Sequence, residues 1–109
     1  MAADIVFVVN PMAANGKTRR RWRDHEAAFR SALGKSFDVK MTHWSGHATE
    51  LTRAALAGGA STVVSVGGDG TLNEILNGFL AEVGRPWSRN SCLAVLSLGT
   101  GADFVKTLQ

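Results

Sequence analysis

An open α/β layer, a mostly parallel sheet wound with helices on both faces, is the fold class this sequence predicts. Three observations carry it. Short apolar runs at 5–9, 37–42, 62–64 and 93–96 recur along the chain and are long enough for buried parallel strands. Amphipathic stretches separate them, with glycine at their exits. Glycine and threonine also gather directly after the third and fourth runs, where open α/β sheets present their ligands.

The first run ends at Asn10-Pro11, where proline stops the ladder and sets a turn. A loop of small residues follows at 12–16, then a helix over 17–33 with Trp22, Phe29 and Leu33 on one face and Gly34 as its stop. Gly16-Lys17-Thr18 has the ending of a P-loop, but that motif needs a glycine where Pro11 stands, and proline has no N–H to offer. A P-loop NTPase is therefore excluded. Lys17, Arg19, Arg20, Arg21 and Arg23 crowd the start of the helix. A run of charges is usually a solvated face, but cations are unfavourable at the positive end of a helix dipole, so the alternative is an anionic neighbour, phosphate or an anionic membrane surface. No aromatic-rich surface, base-reading helix or zinc spacing points to nucleic acid.

The second run closes at Thr42 and opens into His43-Trp44-Ser45-Gly46-His47. An alanine-rich helix over 48–57 follows, stopped by Gly58-Gly59. Neither His43 nor His47 faces a cysteine or carboxylate at ligand spacing, so both read as loop histidines. The third run leads into Gly67-Gly68-Asp69-Gly70-Thr71-Leu72-Asn73-Glu74. Leu72, Ile75, Leu76, Phe79, Leu80 and Val83 then fall at helical spacing. A strand running through glycines into a helix is a phosphate-binding arrangement. Glycine permits positive φ and leaves space, and the helix start supplies unpaired N–H groups and its dipole. Asp69 has the wrong charge to touch phosphate, so its place there fits Mg²⁺, or a water bound to it, between carboxylate and phosphates. Thr71 and Glu74 also fit a capping box, in which they would serve only the helix start.

Residues 84–91 read as a loop, and the fourth run opens into Ser97-Leu98-Gly99-Thr100-Gly101-Ala102-Asp103-Phe104. This second Gly/Thr turn predicts a fourth helix, with Thr100 and Asp103 as a further capping pair. Two such turns at corresponding strand ends would face one crevice and share a ligand.

With 109 residues the chain has the length of one domain with a real core. The net charge of +3 is modest, and no apolar run approaches a membrane span. The single Cys92 excludes an intrachain disulfide, and the chain enters its first strand without the pattern of a signal peptide. These features favour a reducing, cytoplasmic setting.

Asn10-Pro11, Thr42, the block from Gly67 to Glu74 and the later Leu98-Gly99-Thr100-Gly101-Ala102-Asp103-Phe104 resemble, in order and spacing, the diacylglycerol kinase catalytic domain. That family includes bacterial diacylglycerol kinases and sphingosine or ceramide kinases. The Gly-Gly-Asp-Gly-Thr core alone is shared with NAD kinases; the Leu-Asn-Glu continuation, the Asn-Pro opening and the Gly-Thr-Gly-x-Asp-Phe point to the lipid-kinase branch. The resemblance implies an ATP site lined by Asn10, Pro11, Thr42, Gly67, Gly68, Asp69, Gly70, Thr71, Asn73, Glu74, Gly99 and Thr100. It implies Asp69 as the residue of chemistry, acting through Mg²⁺, and transfer of the γ-phosphate of ATP to a lipid hydroxyl such as that of diacylglycerol. Ala102 stands where the family usually has Asn, and Ser97 where it often has Pro.

Family members run to roughly two or three times this length, with a second, β-rich domain supplying the lipid surface and the base for the acceptor hydroxyl. The chain therefore reads as the nucleotide-binding half, close to inactive alone, with peripheral membrane contact in the whole enzyme. An isolated half would expose the apolar surface meant for its partner domain, which favours homo-oligomers. The rivals are an NAD kinase-like phosphotransferase and a non-catalytic nucleotide-binding or self-associating module.

Overall fold

Alternation along the strands sends successive side chains to opposite faces of the sheet, and each face then needs its own cover. Val6, Val8, Val63 and Leu93 point one way; Phe7, Val9, Val64, Val66, Ala94 and Leu96 point the other. The computed structural model, which describes residues 3–34, 37–82, 85–86, 91–98 and 102–108, shows how both are covered. The elements run β1 (Ile5–Val9), α1 (Lys17–Leu33), β2 (Phe37–Met41), α2 (His47–Ala57), β3 (Thr62–Val66), α3 (Asp69–Gly78), β4 (Leu80–Glu82), β5 (Arg85–Pro86), β6 (Cys92–Leu98) and β7 (Ala102–Leu108). Ala48 and Leu56 of α2 and Ile75 of α3 close one face, and Trp22 of α1 closes the other. Trp22 is fully buried, with its ring centroid 5.0 Å from that of Phe7 and 5.8 Å from that of Phe29. The doubly wound class is what the sequence predicts.

The main sheet has the order β2-β1-β3-β6-β7. Its first four strands are parallel, with Phe7 level with Val39 and Val64. The chain steps outward from β1 to β2 and then returns past β1 to β3, so the winding reverses between β1 and β3. Open α/β sheets bind ligands at the C-terminal strand ends beside such a reversal. Here those ends are Asn10 and Gly67.

Two expectations fail. The helix predicted to reach residue 83 stops at Gly78, and Leu80–Glu82 pairs with Arg85–Pro86 as a small antiparallel ribbon. The apolar period had counted Leu76 and Leu80, which are both 40% exposed. Gly78 sits where α3 crosses α2: a Cβ there would lie 2.5 Å from Thr52 Cβ. The crossing requires glycine, a poor helix former, and Phe79 turns into the core directly after it. The predicted fourth helix is instead β7, antiparallel to β6, with Val105 level with Val95. Phe104, Val105 and Thr107 are strand-favouring residues, and pairing with β6 satisfies a ladder that a helix would leave as an open edge. Asp103 therefore lies in a strand, where it caps no helix.

Candidate functional site

Three helices begin at the C-terminal edge of the parallel sheet, and each begins with N–H groups that no helical carbonyl can satisfy. How those groups are met differs from helix to helix. At α1 the preceding loop folds back on itself: the N–H groups of Gly16, Lys17 and Thr18 bond to the carbonyls of Met12, Ala14 and Ala13 at 3.2, 3.1 and 3.3 Å. The fold-back needs left-handed backbone at Ala14 (φ 55°), Asn15 (57°) and Gly16 (86°).

At α2 a neighbour provides the acceptor. The Glu74 carboxylate accepts from the Gly46 N–H at 3.1 Å and the Ala48 N–H at 3.3 Å. The Glu74 carbonyl accepts from the Thr49 hydroxyl at 2.7 Å. Glu74 thus caps the helix beside it rather than its own. The capping box does not form: α3 begins from Gly68, and no side chain caps it.

At α3 the first helical bond runs from the Leu72 N–H to the Gly68 carbonyl, 3.1 Å. Among the described residues no acceptor meets the N–H groups of Asp69, Gly70 and Thr71. A Cβ added at Gly68 or Gly70 would meet nothing within 4 Å, so the space above this turn is open. Gly67 has a different reason to be glycine: a Cβ there would lie 2.6 Å from Thr71 Oγ1. None of the three glycines has positive φ, contrary to the expectation from sequence; what the turn needs of them is room.

The site is tied together across the reversal. Asn10 Nδ2 donates to Thr71 Oγ1 at 3.2 Å, linking the end of β1 to the start of α3. Asn10 Oδ1 accepts from the Met12 N–H at 3.1 Å, and the Asn10 N–H bonds to the Val66 carbonyl at 2.9 Å. Thr71 is buried, so its hydroxyl is fixed by these contacts. Asn10, Gly70, Thr71 and Glu74 line a crevice of about 330 Å³ together with Trp44 and Ser45. Asp69 and Asn73 are exposed at the start of α3. Thr42 is buried at the end of β2, its N–H bonded to the Val9 carbonyl at 2.8 Å. Pro11 stands one residue past Asn10. Gly99 and Thr100 lie outside the described residues.

Sequence reading missed the wall formed by His43, Trp44 and Ser45. His43 donates its backbone N–H to His47 Nδ1 at 2.9 Å, and the Trp44 ring stacks on His47 at 3.6 Å. Trp44 Nε1 donates to Glu50 at 3.0 Å, which holds a ring that is 55% exposed. An exposed tryptophan in a Ser-Gly loop was the available signal. Its relevance depends on β2 lying beside β1, which is a property of strand order.

A crevice at the winding reversal of a parallel sheet, beside an uncapped helix start, is where α/β proteins commonly place their ligands. Residues 4–109 match the diacylglycerol kinase catalytic domain, and the chain belongs to that family. It is 39% identical over 80 residues to a protein named probable lipid kinase YegS-like from Pseudomonas aeruginosa, covering 73% of this chain and 24% of that one. It is 27% identical over 104 residues to human sphingosine kinase 1, covering 95% of this chain and 27% of the kinase. A solved structure titled a putative diacylglycerol kinase from Bacillus anthracis superposes with a TM-score of 0.68 at 26% identity, covering 92% of this chain and 34% of that one. The chain thus spans about a quarter to a third of the proteins it matches. No helix among the described residues is long and apolar enough to cross a membrane.

Proposed function

We propose that this chain is the nucleotide-binding part of an ATP- and Mg²⁺-dependent lipid kinase, which transfers the γ-phosphate of ATP to the hydroxyl of a lipid such as diacylglycerol. The single observation that carries the reading is the Asn10–Thr71 bond beside the uncapped start of α3. It holds three unpaired N–H groups, at Asp69, Gly70 and Thr71, toward an open crevice at the winding reversal. Phosphoryl transfer depends chiefly on such positioning and on offsetting charge, so donors fixed in advance are what a nucleotide-binding half must supply.

Asp69 fits the metal in a limited way. It is exposed, and among the described residues no three His, Cys, Asp or Glu side chains gather to hold an ion. Mg²⁺ is commonly held by one or two carboxylates, several waters and the substrate's own phosphates, so one carboxylate beside a phosphate site is consistent with it. The metal, when bound, would offset the charge of the phosphates. Asn10 and Thr71 would order the turn, and Glu74 would keep α2 and its preceding loop against α3.

The acceptor hydroxyl and its base would belong to the rest of the enzyme, as would most contact with the membrane. The relatives bear the names lipid kinase and sphingosine kinase, which supports a lipid over a soluble acceptor such as NAD. Titration of ATP with Mg²⁺ into the chain by calorimetry tests the reading. The expected result is saturable binding, weakened at least tenfold in Asp69→Ala. Binding of equal strength in that variant would overturn the role given to Asp69.

A further inference from the structure

We infer that a second anion site, selective for a phosphate group, lies in the cavity between the first two turns of α1 and the C-terminal end of β2. The cavity has a volume of about 500 Å³, and Arg19, Trp22, Arg23, Thr42 and His43 line it. Arg19 and Arg23 are four residues apart on one helix, so their side chains share a face and reach the same space. Neither forms an ion pair among the described residues. The carboxylate on the wall, Glu26, is engaged by Arg30 at 3.1 Å.

The rest of the wall is mixed: Pro11, Met12 and Met41 are apolar or weakly polar, and Trp22 and Thr42 are buried, so the donors that reach a ligand here are the two exposed guanidiniums. Guanidinium forks match phosphate oxygens in pairs, so the chemistry selects a phosphate over a neutral ligand. The positive charge comes from side chains alone, because the backbone N–H groups that start α1 are already bonded within their own loop.

Met12 and His43 line both this cavity and the crevice beside α3, so the two compartments share a wall. Pro11 and Thr42, which the family resemblance puts in the ATP site, also line this cavity, whereas Arg19 and Arg23 take no part in the nucleotide reading; substituting the two arginines therefore separates failure of one proposal from failure of the other. The phosphate could be free or carried on a lipid headgroup.

Both sources are tested on the full chain. Inorganic phosphate is titrated by calorimetry, and sedimentation is measured with phosphatidylcholine vesicles with and without phosphatidic acid. Arg19→Ala/Arg23→Ala is compared with Lys17→Ala/Arg20→Ala, which removes the same charge outside this cavity. All four side chains are exposed, so both variants should keep the wild-type thermal transition. The expected result is at least a tenfold loss of binding in the first variant and less than a threefold loss in the second. Binding of phosphate in solution would assign a free ligand, and binding to phosphatidic acid vesicles alone would assign a headgroup. Equal losses in the two variants would reduce the site to diffuse charge and overturn it. So would wild-type binding to neither probe, or phosphate binding unchanged by Arg19→Ala/Arg23→Ala.

Discussion

α1 and α3 leave neighbouring strands at the same edge of the sheet, each after a turn rich in small residues, and they begin in opposite ways. The loop before α1 consumes that helix's first N–H groups, at the expense of left-handed backbone at Ala14 and Asn15. The turn before α3 leaves its N–H groups open and keeps the space above them clear. Both stretches follow a parallel strand and carry part of a phosphate-loop pattern, Gly-Lys-Thr without the motif's first glycine at α1 and Gly-Gly-Asp-Gly-Thr at α3. The difference teaches that a helix start binds an anion only if nothing in the protein has already taken its donors. It also explains the charges. α1 carries cations on its side chains beside a closed backbone start, whereas α3 carries an acid, Asp69, beside an open one.

The comparison can be broken most forcefully at Gly67. Its Cβ would strike Thr71 Oγ1, so Gly67→Ala should displace the turn that keeps α3 open. Overpacking of this kind costs about 1–3 kcal/mol, and ATP affinity should fall by about a hundredfold, beyond what stability loss explains. Chemical denaturation and calorimetry on the same variant separate the two effects. Unaltered affinity would show that the turn has no need of this glycine.

Glu74→Ala comes next. It leaves the Gly46 and Ala48 N–H groups without their acceptor, and stability should fall by about 1–2 kcal/mol. Glu74→Gln keeps an acceptor oxygen and should recover part of that loss by the same denaturation measurement. A capping box confined to α3 would predict no change in hydrogen exchange at Gly46 and Ala48. The structure predicts faster exchange there in Glu74→Ala.

The smallest effect is expected on the closed side. Ala14 holds φ 55°, a conformation that costs a non-glycine residue about 1–2 kcal/mol. Ala14→Gly relieves that strain but gives the unfolded chain more freedom, so stability should rise by no more than about 1 kcal/mol. ATP affinity should be unchanged, because this loop uses its donors internally. A loss of affinity would bring the α1 loop into the nucleotide site.

The four parallel strands and three helices were legible because buried strands and amphipathic helices leave local periods in the sequence. Trp22 and Gly34 mark the first helix well. Less legible was anything decided by a partner distant in the chain. Gly78 ends α3 because Thr52 of α2 needs the space, and Glu74 caps α2 because α3 lies beside it. The stretch 102–108 is a strand because β6 offers it an edge. In the site, Asn10 and Thr71 could be named from their motifs, but the bond between them follows from β1 and β3 being neighbours. Trp44 enters the crevice wall for the same kind of reason, since β2 lies next to β1.

The most direct test of the central claim, that α3 and not α1 offers its backbone donors to nucleotide phosphates, is an amide nitrogen–proton NMR titration of the labelled chain with Mg²⁺ and ATP. The account predicts the largest shifts at the Asp69, Gly70 and Thr71 amides and little movement at Gly16, Lys17 and Thr18. Shifts concentrated at the start of α1, with the start of α3 unmoved, would contradict it.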